Sequence, residues 1–442
     1  MFDALFTTTT EYKKLSHALS GKGACALFGL PASGRAQVYA ALCRQLDKPL
    51  CIVTPGEAEA TRFAADLNTL GIPAAVFPAR DYVLRPIEGT AREYEYRRLA
   101  VLGELVGGRL RAVAVPAEAL TQFTTPKEDF CANTRTLHAG DTLLRDDLLA
   151  ALFGAGYTRR AQVDGPGQFS VRGDIVDIFA PDQKMPVRME FWGDEIDTLH
   201  TFDLTTQRRE DAIDKFYLSP AREVLFGKPA DAAEQLRAFL AKQRGKKKTA
   251  MADCMAADLD LLDGGAVPVN MDKYLAVRYP HPATVLDYFD DPILVAEEPA
   301  SIREADRATA YRRGEELKSL ILDGVLCAGL DNLYADPSYL WSKTGHYRTI
   351  CAENFARSMP DQPLKDIINT PAHALPAWNG EVAGLLEDLK PLCDAGYTVT
   401  LLAGTDRAAA GLARDLRDKG ILVTTDAAAA PATAVSYTHL RA

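Results

Sequence analysis

Apolar and polar positions in the first 125 residues form short strand-like runs that alternate with longer helical runs. Short apolar runs predict strands, and apolar residues spaced three or four apart predict helices. The predicted pairs are a strand at 24–30 with a helix at 34–46, a strand at 50–54 with a helix at 57–70, a strand at 75–77 with a helix at 91–107, and a strand at 111–115. This alternation indicates a parallel sheet with helices on its faces.

The pattern changes between residues 126 and 222, where the runs become shorter and apolar residues recur at every second position. Four such runs, each bounded by turn residues, predict antiparallel strands at 168–172, 174–179, 187–192 and 198–202. Because α/β patterns resume afterwards, we interpret residues 126–222 as a small α+β domain inserted into a sheet domain made of residues 1–125 and 223–345. A second small α/β domain is expected at residues 346–432.

Composition and charge restrict the class of protein. The 442 residues are 47% hydrophobic and 25% charged, which is typical of a globular chain with about three domains. The formal net charge of -10 argues against a chain that coats nucleic acid with its whole surface, because phosphate binding requires a basic field. No apolar stretch reaches the roughly 18 residues of a membrane span, and the eight cysteines include no C-x-x-C pair. We therefore expect a cytoplasmic protein without membrane or metal binding.

The candidate chemistry begins directly after the first strand, at residues 29–36. Gly29 and Gly34 have the separation of the glycines in a nucleotide-binding P-loop, G-x-x-x-x-G-K-[ST], but Arg35 and Ala36 replace the lysine and the hydroxyl residue. Ala36 cannot ligate magnesium, and the planar fork of an arginine does not replace the point charge of a lysine among backbone N–H groups. We therefore predict a degenerate P-loop domain that is a scaffold and has no catalytic residues.

A P-loop ATPase also needs an acidic pair at the end of an apolar strand, where it holds magnesium and orients the attacking water. The candidate is the acidic end of residues 293–299, where Ala296, Glu297 and Glu298 follow three apolar residues. With residues 285–291 this stretch resembles the aspartate-glutamate box of the excision-repair protein UvrB. In one register Ala296 takes the place of the metal-binding aspartate, and in a register shifted by one residue Glu297 takes it. The first register gives a degenerate acidic box, whereas the shifted register keeps an acidic residue at the metal-binding position.

The inserted domain has a strand pattern that places charges of both signs on one face. Arg188 and Glu190 alternate with apolar residues in the run 187–192, and Arg172 ends the run 168–172. Arg159 is expected to extend the same face. Arginines and aromatic residues on a rigid surface are typical of protein-binding hot spots. The alternative is a solvated face with ordinary cross-strand ion pairs.

The longer string around these residues resembles the UvrA-binding domain shared by UvrB and the bacterial transcription-repair coupling factors. The matching segments are residues 156–157, 166–179, 188–197, 202–203 and 206–208. The resemblance implies a UvrA-binding surface centred on Arg172, Arg188 and Glu190, with Arg159 and Phe179 dependent on the register of the first strand. The degenerate loop and the pair Gln207-Arg208 favour the coupling factors, because UvrB keeps an intact lysine-threonine loop.

Residues 378–380, 386–389 and 396–399 resemble the small domain that follows the UvrB-like module in coupling factors. Over residues 1 to about 430, the resemblance implies part of a bacterial protein that removes RNA polymerase stalled at DNA lesions by ATP-driven translocation and then recruits UvrA. RNA polymerase and double-stranded DNA are expected partners of the longer protein, whose motor domains would use ATP and magnesium. For the present chain the resemblance implies a monomeric recruitment module without a cofactor, and residues 433–442 are interpreted as a non-native tail on a truncated sequence.

Two alternatives remain open. A diverged UvrB-type ATP-dependent repair enzyme would retain nucleotide use, with Arg35 and Glu297 or Glu298 at its site. The basic run at residues 244–248, in an expected loop, could instead bind DNA directly, although a solvated surface turn is the favoured interpretation because no aromatic residue interrupts the run.

Overall fold

The structure of the chain, a computed structural model, describes residues 7–86, 92–357, 359, 362–370, 382–396, 398–401, 405–423 and 434–437. A seven-stranded parallel sheet and a separate six-stranded, mainly antiparallel sheet organise most of these residues. The fold is therefore the predicted α/β class, with an α+β unit inserted into a parallel-sheet domain.

The first part of the parallel sheet follows the predicted alternation of strands and helices. Its elements are α1 (Thr10–Ala18), β1 (Gly23–Phe28), α2 (Ala32–Leu46), β2 (Leu50–Thr54), α3 (Glu57–Thr69), β3 (Ala74–Val76), α4 (Glu93–Val106), β4 (Ala112–Pro116) and α5 (Ala117–Leu120). The strands are almost wholly apolar because both faces of a parallel sheet are covered. Helices α1 to α3 pack on one face and α4 on the other.

The inserted unit forms its own core on one face of the antiparallel sheet. Its elements are α6 (Lys127–Ala132), β5 (Arg135–His138), α7 (Arg145–Gly154), β6 (Thr158–Arg159), β7 (Gln168–Arg172), β8 (Ile175–Phe179), β9 (Val187–Trp192), β10 (Glu195–Phe202), β11 (Arg209–Ala212) and β12 (Lys215–Leu218). The sheet order is β11-β10-β9-β8-β7-β6, and β5 pairs with β12. Leu148 and Leu152 of α7 pack against Phe169, Val176 and Met189 on the inner face of the sheet.

Residues 223–345 differ from the expected second half of the sheet domain, because they contribute one strand to the parallel sheet. The elements are α8 (Pro229–Ala241), α9 (Gly245–Asp263), a 3-10 turn (Met271–Tyr274), α10 (Leu275–Arg278), a second 3-10 turn (Val285–Tyr288), β13 (Ile293–Glu297), α11 (Pro299–Leu322) and α12 (Tyr339–Lys343). Helices α8 and α9 instead share a separate core with residues from the 82–84 segment.

The basic run at residues 244–248 forms the start of α9, so the expected loop at this point is wrong. Met251, Met255 and Leu262 of the same helix are buried in the separate core. Burial of this apolar stripe outweighs the unfavourable placement of lysines beside the positive end of the helix dipole.

The expected domain boundary at residue 345 is also wrong, because two later strands complete the parallel sheet. These are β14 (Arg348–Glu353) and β15 (Leu364–Asn369), and the full order is β15-β1-β14-β13-β2-β4-β3. Strand β14 lies between β1 and β13, with Ile350, Cys351 and Ala352 fully buried. Long-range pairing of this kind places β14 in the interior of the sheet, although it is one of the last two strands of this sheet along the chain.

The C-terminal part contains α13 (Val382–Asp394), β16 (Thr398–Leu401), α14 (Asp406–Asp418) and β17 (Ala434–Tyr437). Strands β16 and β17 pair in parallel, so four residues of the expected tail form a strand. The described residues do not include 378–380, 397, 424–433 and 438–442. The predictions for these segments therefore lie outside the described part of the chain. Within the described part, no helix is long and apolar enough to cross a membrane.

Candidate docking face and degenerate nucleotide loop

The turn between β1 and α2 is shorter than the sequence motif predicts. Helix α2 begins at Ala32, so Gly34 lies in its first turn and residues 29–31 alone connect the strand to the helix. Pro31 has no N–H group and accepts a hydrogen bond from the Arg35 N–H. Pro31 therefore removes one backbone donor from a turn that is already short.

The backbone beyond β15 crosses close to the glycine that begins this turn. Gly29 has a φ of +88°, and a Cβ atom at this position would lie 2.1 Å from the Thr370 carbonyl oxygen. The Thr370 N–H donates to the Phe28 carbonyl oxygen at 2.9 Å. A carbonyl oxygen that faces the turn at this distance would repel a phosphate, so Gly29 accommodates another segment of the chain.

Arg35 is buried and forms ion pairs with both glutamates of the degenerate acidic box. Its Nη2 lies 2.9 Å from Glu297 Oε2, and its Nη1 lies 2.9 Å from Glu298 Oε1. The Tyr39 hydroxyl donates to Glu297 Oε1 at 2.5 Å. The structure thus brings Arg35, Glu297 and Glu298 together at the carboxyl ends of β1 and β13. The Arg35 guanidinium itself fills the space between these strand ends.

Ala296 faces away from this cluster, and Glu297 is the residue of this strand end that faces Arg35. It packs in the core on the face of the sheet opposite α2, whereas Glu297 points toward α2. Burial raises the pKa of the Glu297 carboxyl to about 7, although Arg35 and the Tyr39 hydrogen bond act in the opposite direction. With Ala36 at the hydroxyl position, these residues do not fit a magnesium nucleotide.

The outer face of the inserted sheet carries a network of charges centred on Asp177. Asp177 lies opposite Arg188 in the β8–β9 register, and its side chain is fully buried. Arg188 donates to it twice, from Nε at 2.7 Å and from Nη2 at 3.0 Å. Arg172 Nη2 lies 2.5 Å from Asp177 Oδ2, and the Arg172 side chain remains 47% exposed. The carboxylate therefore fixes two arginines on one face.

Arg188 lies beneath this face and Glu190 at its edge. The Arg188 guanidinium lies 4.7 Å from the Phe202 ring, and its Nη1 donates to the Gln207 carbonyl oxygen at 3.1 Å. Glu190 is ion-paired with Arg209. We infer that Arg188 is a positioning residue, because too little of its side chain reaches solvent to contact a partner.

Two of the five expected docking residues do not contribute to the exposed charged face. Phe179 is buried in a small cluster with Val163 and Phe202, so it is a core residue. Arg159 lies opposite Phe169 in the parallel β6–β7 pair, and paired residues point to the same side of a sheet. Since Phe169 is on the inner side, Arg159 is on the side opposite Arg172, and the expectation that it extends the charged face is wrong.

Two further residues belong to this face. Asp177 holds Arg172 and Arg188 in position, and strand alternation places it on this face. Its two ion pairs depend on the registers of β7, β8 and β9. Trp192 alternates onto the same face as Arg188 and Glu190 and is 83% exposed at the end of β9. Arg172, Glu190 and Trp192 together define what we call the docking face.

Comparison with known proteins gives one family match and several relatives. The family described as "UvrB interaction domain" matches residues 136–224, which include the whole docking face. The transcription-repair-coupling factor of Bacillus subtilis is 25% identical over 406 residues, which cover 89% of this chain and 34% of the relative. The Myxococcus xanthus factor is 35% identical over 208 residues, covering 45% of this chain and 17% of the relative.

A third relative, the transcription-repair-coupling factor of Mycobacterium bovis, is 34% identical over 257 residues, covering 56% of this chain and 20% of the relative. The chain thus spans about a third or less of the length of these three relatives. Together, the matches show that the chain is similar to an N-terminal region of transcription-repair-coupling factors.

Proposed function

We propose that this chain is the partner-recruiting part of a bacterial transcription-repair coupling factor and binds UvrA through the docking face. The observation that carries the proposal is the Arg172–Asp177–Arg188 network, which lies within the matched interaction domain. The buried carboxylate holds Arg172 in one orientation at the surface. A partner therefore meets an ordered arginine beside an exposed tryptophan, which are residue types enriched in hot spots.

In this proposal the parallel-sheet domain is a scaffold without nucleotide chemistry or cofactor. The Arg35–Glu297 ion pair supports it, because the only cation of the degenerate motif is already neutralised by the acidic box. The competing proposal, a diverged UvrB-type ATP-dependent enzyme, requires both ion pairs to break and two buried charges to separate. Separation without compensation costs several kcal/mol.

In this proposal, RNA polymerase removal and ATP-driven translocation belong to a longer protein of the same kind as the relatives. We propose that it works in the cytoplasm, removes RNA polymerase stalled on damaged double-stranded DNA, and uses ATP and magnesium in translocase domains outside this sequence. The present chain would act as a monomer that recruits UvrA. Charge pairs at such an interface set specificity and association rate as well as affinity.

Substitution of Arg172 by alanine tests the docking face. We expect Arg172→Ala to weaken UvrA binding about thirtyfold or more, because truncating a desolvated charged partner at an interface costs about 2–5 kcal/mol. The thermal melt should change little, since Arg188 still neutralises Asp177. Binding is measured by surface plasmon resonance with purified UvrA.

The matched control is Arg237→Ala, which removes another exposed, ion-paired arginine, on α8. It should leave UvrA affinity unchanged. Unaltered UvrA binding by Arg172→Ala, with wild-type protein binding normally, would refute the proposed face.

A further inference from the structure

A cleft of about 990 Å³ separates the inserted unit from the rest of the chain. It is distinct from the docking face, because Arg159 of β6 borders it from the opposite side of the inserted sheet. Its cationic lining residues are Arg92, Arg159, Arg160, Arg222 and Lys228. No function described above uses this cleft.

The floor of the cleft adjoins a buried charge network in which cations outnumber anions. Among the described residues, four guanidinium groups face three carboxylates: Arg80, Arg92, Arg98 and Arg222 against Glu95, Glu223 and Asp272. Although burial acts in the opposite direction, Arg80, Arg222 and Arg92 hold the pKa of the Glu95 carboxyl at about 2. The network therefore leaves a positive charge beside the cleft.

The rim adds two cations that have no internal partner. Within the part of the chain that the structure describes, the exposed side chains of Arg159 and Arg160 form no hydrogen bond or ion pair. Asp164 is the acidic residue of the described rim, and Asp272 on the floor is already bonded to Arg80. Free guanidinium groups beside an uncompensated buried charge favour an anionic ligand that brings more than one negative group.

Apolar surface lies beside these cations. The Phe153 ring is 39% exposed and is held edge-on by Phe169 with a centroid separation of 5.2 Å. Val267 is 56% exposed on the facing segment. A flat apolar group can therefore rest against Phe153 while an attached anion reaches Arg159.

We propose that this cleft binds single-stranded nucleic acid. Phosphates would contact Arg159 and Arg160, whose planar forks match phosphate oxygens, and a base would stack on Phe153. The volume is at the upper end of the range of about 300–1,000 Å³ for ligand pockets, which suits a few nucleotides rather than a duplex. An acidic peptide would satisfy the charges but supplies no planar group for the exposed ring.

The test is fluorescence anisotropy of a labelled thymidine dodecamer with the full chain, over a series of salt concentrations. Each phosphate contact contributes a slope of about -0.7 in a plot of log K against log salt. We expect Arg159→Ala/Arg160→Ala to weaken binding at least about tenfold and to flatten this slope by about 1.4. Phe153→Ala should weaken binding and leave the slope unchanged.

The matched control is Lys246→Ala/Lys248→Ala, which removes two cations of the basic run in α9 and should leave dodecamer binding intact. Because Arg159 and Arg160 are exposed and unpaired, their replacement should also leave the thermal melt and UvrA affinity unchanged. Equal binding by the Arg159/Arg160 variant, or loss of binding in the lysine control, would overturn the proposal. So would equally tight binding of a duplex of the same length or of an oligoglutamate peptide.

Discussion

Asp177 and Glu297 are buried carboxylates that differ in the number of arginines around them. Asp177 lies between two guanidinium groups on the inserted sheet. Glu297 is also buried, but it shares its one arginine with a second carboxylate, Glu298. Two guanidinium groups therefore compensate Asp177, whereas the single guanidinium shared by two carboxylates does not offset the burial of Glu297, whose ionisation is unfavourable.

The raised pKa of Glu297 predicts a pH-dependent stability. The pKa is about 7 in the folded chain against an ordinary 4.5, so between these values the folded state keeps a proton that the unfolded state has lost. Stability from this group is therefore full below about pH 4.5 and is lost as the pH rises to about 7, by roughly 3 kcal/mol. Denaturant unfolding of wild type and Glu297→Gln at several pH values measures the difference.

We expect the wild-type free energy of unfolding to fall relative to that of Glu297→Gln across this pH range. Glu298→Gln is the control, because it removes the neighbouring carboxylate that is one-third exposed. Parallel curves for wild type and Glu297→Gln would show that Glu297 does not titrate in this range.

At the residue scale, the sequence predicts which side chains belong to a site better than it predicts which side chains contact one another. The glycine spacing identifies Arg35 and Ala36 as the defective positions, yet the partners of Arg35 lie more than 250 residues away and no local pattern connects them. Strand alternation assigns Asp177 and Trp192 to one face. It cannot show that Asp177 is buried between two arginines, because that depends on which strands are neighbours.

At the scale of elements, the early start of α2 is what separates this turn from a nucleotide loop. Residues 32–34 belong to the helix, and the backbone at Thr370 covers Gly29. These features concern the backbone, so side-chain replacement does not reverse them.

We therefore predict that Arg35→Lys/Ala36→Thr, which restores the letters of the motif, does not create ATP hydrolysis. The lysine would still meet Glu297 and Glu298, and the turn would keep its length. Phosphate release is measured with magnesium, with and without DNA and UvrA, and catalytically active UvrB provides the positive control. Turnover above wild type in the double variant would show that the side chains alone disabled the loop.

Elements with strong local periodicity were predictable, and those defined by distant partners were not. Strands β2, β7 and β9 have the predicted bounds because each combines apolar or alternating residues with clear turn signals. Strand β6 has two residues and is recognisable only by its pairing with β7. Its register also decides the side on which Arg159 lies, which explains the incorrect prediction for that residue.

On the scale of the whole molecule, the inserted unit and the parallel-sheet domain meet at the buried network around Glu223. Glu223 follows the last strand of the inserted unit, and its Oε1 lies 2.6 Å from Arg98 Nε of α4. It also neutralises Arg80, which in turn bonds to Asp272 near α10. One carboxylate thus connects three parts of the chain.

We predict that Glu223→Gln destabilises both sheets together, by about 3–5 kcal/mol, because it leaves buried arginines without compensation. Hydrogen exchange followed by mass spectrometry should show faster exchange in β2 and β9 alike. The control Glu190→Gln, at a partly exposed pair with Arg209, should cost about 0–1 kcal/mol. Faster exchange confined to the inserted unit would mean that the two sheets unfold independently.

The Arg35–Glu297 ion pair has a physiological consequence. If the parallel-sheet domain is the scaffold proposed above, a site filled by the chain's own side chains would not sense the ratio of ATP to ADP. Under the proposed function, the affinity of the docking face for its partner is therefore the same in starved and in growing cells. Timing of repair would have to come from occlusion or release of that face by other domains, and energy status would act only through them.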